Sequence, residues 1–72
     1  MICMNIILTV QEDHKIEVVR DLLCEAMRKS RNEPGCERFD VYQSQSKPNQ
    51  FTMIEHWSSQ EALDAHRQGE AY

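Results

Sequence analysis

Phe51-Thr-Met-Ile-Glu-His-Trp-Ser-Ser-Gln-Glu-Ala-Leu-Asp-Ala-His66 carries two hydrophobic rhythms in succession. The first half alternates, with Phe51, Met53, Glu55 and Trp57 on one face and Thr52, Ile54 and His56 on the other, which is the pattern of a strand. Ser58 is expected to stop that strand and cap a helix, with Glu61 three residues later as in a capping box. Beyond it Ala62, Leu63 and His66 share one helical stripe. A buried strand therefore hands its last aromatic, Trp57, to a short helix that turns a histidine inward.

Working outward, Lys47-Pro-Asn-Gln50 is a turn that makes residues 51–57 the return strand of a hairpin. Residues 36–46 read as its partner, with Phe39, Val41 and Gln43 on one face and Arg38, Asp40 and Tyr42 on the other. Upstream, Ile16, Val19, Leu22, Leu23, Ala26, Met27 and Ser30 recur at the steps of an amphipathic helix, with Asp13 as its expected N-cap. Lys15, Glu17, Arg20, Asp21, Glu25, Arg28 and Lys29 fall outside the stripe and read as solvated surface. There Glu17 and Asp21 are a repulsive spacing, and Glu25 and Lys29 a favourable one. Pro34-Gly35 ends that helix.

Residues 1–10 form a first strand, with Ile2, Met4, Ile6, Leu8 and Val10 on one face and Cys3, Asn5, Ile7 and Thr9 on the other. Its second face is also partly apolar, so both sides are expected to be covered. The order β-α-β-β-α over a single domain, residues 1–72, predicts an α+β, ferredoxin-like fold with an antiparallel sheet whose last strand is missing. Only Glu70, Ala71 and Tyr72 follow Gly69, so the sheet is expected to expose an edge that a partner covers, unless the domain is truncated.

A chain of 72 residues is short, and one of about this size buries only about 60% of its unfolded surface, so it needs extra support. Cys3, Cys24 and Cys36 are odd in number and far apart, which indicates neither a disulfide framework nor a metal site. They read as small buried hydrophobes of a reducing, cytoplasmic setting. Self-association is left as the source of stability, and a homodimer is expected. The net charge of −4 argues against nucleic acid as a partner. No apolar run approaches the ~20 residues of a membrane span, and the N-terminus lacks the basic region of a signal peptide.

Three segments together resemble the antibiotic biosynthesis monooxygenase family: Glu33-Pro-Gly-Cys-Glu-Arg-Phe-Asp-Val-Tyr42, then Pro48-Asn-Gln-Phe51, then Ile54-Glu-His-Trp-Ser-Ser-Gln-Glu-Ala-Leu-Asp-Ala-His66. The resemblance implies a dimeric α+β barrel, two ferredoxin-like subunits packed sheet to sheet with an apolar pocket in each. Members include cofactor-independent monooxygenases of quinols and anthrones, haem-degrading relatives, and an isomerase of a phosphorylated autoinducer-2 product. They usually carry a further strand.

The expected activity is oxidation of a small quinol or polyphenol by dioxygen, with no cofactor and no metal. His66 would be the base, since an unperturbed imidazole titrates near pH ~6.5 and His66 matches the family's histidine. Trp57 and Asn5 would position the substrate, with Glu55, Phe39, Met53 and Tyr72 lining its pocket. Asn5 and Tyr72 enter through the resemblance. Each has a bland alternative: a core histidine bonded to backbone, a core indole, a structural acceptor at Glu55, a frayed terminus at Tyr72. His56 and His14 read as incidental. The isomerase alternative needs a cation for phosphate, either Arg38 or Arg67. A non-catalytic dimerisation or ligand-binding module is the third reading. Haem degradation is disfavoured, because the relatives' iron-ligating histidine lies past the second helix and His66 stands where they carry tryptophan.

Overall fold

The computed structural model describes residues 1–69. Strand β1 (Ile2–Thr9) leads through a short 3-10 turn (Asp13–Lys15) into helix α1 (Ile16–Ser30). Strands β2 (Cys36–Gln43) and β3 (Gln50–Trp57) follow as a hairpin, and helix α2 (Gln60–Arg67) comes last. The sheet is antiparallel with order β1-β3-β2, so the strand richest in buried residues is also the central one. Among the described residues no fourth strand is present. The β-α-β-β-α expectation holds.

Register explains which side chains meet. Ile2, Met4, Ile6 and Leu8 lie opposite Trp57, Glu55, Met53 and Phe51. On the other flank Phe39, Val41 and Gln43 pair with Glu55, Met53 and Phe51. This face takes the helices, and Phe39, Trp57 and Leu63 form its buried centre, with Met27 of α1 and Ala62 of α2 packed against them. Alternation alone would place Cys36 with Arg38 on the outer face. An irregularity between Cys36 and Arg38 shifts the register, as a bulge does, so Cys36 and Phe39 both pack inward.

The opposite face carries Asn5, Ile7, Thr52, Ile54, Arg38 and Tyr42. None of the described residues covers it, and Ile7 is 66% exposed. Two-sided burial is therefore not reached among the described residues. Cys3 also lies exposed here and Cys24 and Cys36 are only half-buried, which corrects their reading as buried hydrophobes. The cause is the same uncovered face for Cys3 and a marginal helix position for Cys24.

Four local expectations shift. Ser59, not Ser58, caps α2: its Oγ accepts the Ala62 N–H at 3.2 Å, which puts Glu61 one position too early for a reciprocal capping box. Asp13 opens the 3-10 turn, and α1 starts after Lys15 without a side-chain cap. Strand β2 ends at Gln43 because Ser44 turns the chain, its Oγ accepting from Lys47 N–H at 3.1 Å. Glu25 pairs with Arg28 in place of Lys29.

The turn after α1 is what brings α2 close. Gly35 has φ +83°, a conformation costly for residues with a side chain, and its carbonyl accepts from Ser58 N–H at 2.8 Å. A Cβ there would lie 2.4 Å from the Ala62 side chain. Helix α2 thus packs on bare backbone. Ser30, one turn earlier, is fully buried and its hydroxyl has no hydrogen-bond partner among the described residues.

Candidate active site

Between α1 and the inner face of the sheet lies a cavity of about 540 Å³. Leu22, Leu23 and Ala26 form its helix wall, and Ile6, Leu8, Phe39 and Met53 its sheet wall. Leu22 is on the apolar stripe yet exposed, because it borders this cavity instead of filling it. Glu55 and His66 supply polar groups to an otherwise apolar lining, and the exposed Glu25 and Lys29 complete it.

His66 sits in the last turn of α2 and is only 4% exposed. Its ring stacks at a tilt on Trp57, with centroids 4.6 Å apart, and approaches Phe39 at 5.8 Å. Its Nδ1 lies 3.1 and 3.2 Å from the two carboxylate oxygens of Glu33. Glu33 comes from the turn after α1, where its own N–H donates to the Ser30 carbonyl and its carbonyl accepts from Cys36 N–H. That short turn faces the carboxylate toward α2.

Glu55 is 4% exposed, and its Oε1 accepts the indole N–H of Trp57 at 3.0 Å. A buried carboxylate needs such a donor. Trp57, fully buried, therefore joins the site from two directions: its N–H edge holds Glu55 and its ring carries His66. Nearby, burial and the Glu33 charge push the Cys36 thiol upward in pKa.

Of the residues singled out from the sequence, His66, Glu55, Phe39 and Met53 share the cavity, with Trp57 directly behind them. Asn5 is not brought to them. It pairs with Ile54, one step out of phase with Met4 and Glu55, and so lies on the opposite face of the sheet. Tyr72 lies outside the described residues. Arg38 belongs to the outer face, where Asp40 takes its Nε–H at 2.5 Å. Arg67 is exposed, His56 is on the outer face, and exposed His14 lies 3.5 Å from Glu12.

Three polar residues of the site were missed by sequence reasoning. Glu25 and Lys29 lie on the face that reads as solvated surface, yet both border the cavity. Glu33 opens the Glu-Pro-Gly-Cys segment, and the signal that could have found it is that turn, which must fold a carboxylate back over the second helix. Among the described residues no group of three or more His, Cys, Asp or Glu side chains is placed to hold a metal ion. Also among them, no helix is long and apolar enough to cross a membrane.

Comparison with known proteins agrees with this architecture. The sequence profile of the family described as antibiotic biosynthesis monooxygenase matches residues 1–72. A solved structure from Pseudomonas aeruginosa superposes with a TM-score of 0.90 at 29% identity, covering 96% of this chain and 69% of that one. A Deinococcus radiodurans structure that bears the antibiotic biosynthesis monooxygenase designation gives 0.90 at 26% identity, covering 97% and 68%. One from Nitrosomonas europaea with the same designation gives 0.86 at 25%, covering 99% and 75%. The solved chains are longer, as expected for a sheet with a further strand. No curated protein matches the chain.

Proposed function

The chain belongs to the antibiotic biosynthesis monooxygenase family, and from that premise we propose that it oxidises a small quinol or polyphenol with dioxygen, as a cytoplasmic homodimer and without a cofactor. The observation that carries this reading is His66, held at Nδ1 by Glu33 on the wall of an apolar cavity of about 540 Å³. A substrate that is itself the electron donor asks only for a water-poor site, a flat apolar slot and a base.

The step then runs as follows. His66 takes a phenolic proton, and the phenolate passes one electron to dioxygen. The resulting radical pair joins to form a carbon–oxygen bond. Cleavage of the oxygen–oxygen bond leaves one oxygen as a new ring carbonyl. The distal oxygen departs as water, with the ring hydrogen from that carbon and the proton held by His66. For a hydroquinol the balance is quinol plus dioxygen to hydroxyquinone plus water. Phe39 and Met53 would flank the ring, and Trp57 would fix both polar groups. Asn5 has no part in this step.

The isomerase alternative is weaker. The cavity holds the carboxylates of Glu25 and Glu55 against the one ammonium of Lys29, a poor balance for phosphate, and Arg38 lies on the far face. The exposed Ile7, with Ile54 and Tyr42 on the same sheet face, supports the homodimer, and the three free thiols fit a reducing compartment.

An oxygen electrode with a panel of hydroquinols tests the proposal. Uptake above autoxidation is expected, and a positioned base contributes about 10²–10⁴-fold, so His66→Ala should lose most of it. Uptake equal to background, or unchanged in His66→Ala with native circular dichroism, would reject it.

A further inference from the structure

We infer that Glu33 is a positioning residue that sets the tautomer of His66 and so makes Nε2 the basic nitrogen of the ring. The inference deepens the reading of His66 as the base and rests on it for its catalytic meaning. A carboxylate only accepts hydrogen bonds, so a ring nitrogen lying 3.1 and 3.2 Å from its two oxygens must carry the proton. In a neutral imidazole with hydrogen on Nδ1, the lone pair is on Nε2.

The rest of the environment leaves little freedom to do otherwise. Trp57 and Phe39 both lie against the ring, with centroids 4.6 and 5.8 Å away, and their crowding disfavours the half-turn that would exchange the two nitrogens. Glu33 is held in turn by the backbone of its own turn, with its N–H on Ser30 and its carbonyl on Cys36. Glu33 also borders a second, open cleft of about 760 Å³ together with Lys29 and Glu61. Its side chain is 25% exposed, against 4% for His66. Glu33 is thus the wetter partner of the pair, and the imidazole is the one set into the wall of the cavity. When the ring accepts a proton from substrate, the carboxylate faces the new cation directly, which is the nucleophile-base-orienter logic in its two-residue form.

Two measurements separate this from the functional reading. Long-range ¹H–¹⁵N spectra of the imidazoles give the tautomer without any substrate. The wild type should show His66 with hydrogen on Nδ1, and Glu33→Ala should move it toward the Nε2-protonated form that free histidine prefers. Glu61→Gln, in the same cleft, should leave the signals unchanged. A wild-type His66 with hydrogen on Nε2, or one whose tautomer is the same in Glu33→Ala, would overturn the inference.

The kinetic arm uses Glu33→Gln, which keeps the size of the side chain and removes its charge. By analogy with partners that orient metal-bound imidazoles, kcat should fall about 10–100-fold with little change in KM. A rise in KM at constant kcat would also overturn the inference. If no substrate is oxidised by any form, the activity reading fails on its own, and the tautomer still decides the role of Glu33.

Discussion

Trp57 carries more of the site than its burial suggests. An indole in a core is worth several kcal/mol of area, roughly 3–5 kcal/mol on truncation. Here it also supplies the donor for buried Glu55 and the platform for His66. A second carboxylate shows the opposite case. Asp40 is on the outer face, where hydrogen bonds from Arg38 and then Arg31 hold its carboxyl below the ordinary 3.8. A depressed carboxyl stabilises the fold above its unfolded pKa, and that contribution disappears as the pH falls through the lower folded value. Urea titrations of wild type and Asp40→Asn should therefore differ near neutrality and converge below pH 3.8. The gap should be small and shrink in salt, because the pair is exposed. A gap that widened on acidification would refute the assignment. At this scale His66 and Trp57 were legible, since strand parity and helix stripe point both inward. Glu33 was not, because its partner is 33 positions away and only the tertiary turn reveals the contact. Asn5 teaches a different lesson. Alternation had already put it on the face away from Met4, and only the family resemblance grouped it with the base.

The segment between α1 and β2 decides whether the site exists. Gly35 combines a positive φ with contact against Ala62, so any side chain there both strains the backbone and pushes α2 off the sheet. Gly35→Ala should cost about 1–3 kcal/mol and separate Glu33 from His66. Denaturant midpoints and the His66 ¹⁵N shifts would read both effects, and an unchanged midpoint would mean that the turn relaxes at no cost. The Pro34-Gly35 pair made the turn itself legible, but no periodicity announces how closely a later helix approaches it. The bulge at the start of β2 was equally hidden: parity sent Cys36 outward, and one irregular step returns it to the core. Helix caps slipped by one residue for a simpler reason, since Ser58 and Ser59 are chemically the same signal.

At the scale of the molecule, element order and the antiparallel sheet could be read directly, because each segment has a clean period and each break a turn residue. What covers the outer sheet face could not, since none of the described residues packs on it. That face presents Ile7 at 66% exposure with Ile54 and Tyr42 nearby, while the buried core of the described residues lies on the other side. We expect light scattering behind a sizing column to give a dimer for the wild type, and Ile7→Lys to shift it toward monomer, because a lysine in a packed apolar interface must be desolvated. A wild-type monomer would remove the sheet-to-sheet assembly from the account.

The most direct test of the central claim is turnover of a hydroquinol under ¹⁸O-labelled dioxygen, with the product analysed by mass spectrometry. The account predicts one labelled oxygen in the hydroxyquinone, the other in water, and loss of labelled product in His66→Ala. A quinone formed without label, or labelled product at the same rate in His66→Ala, would contradict it.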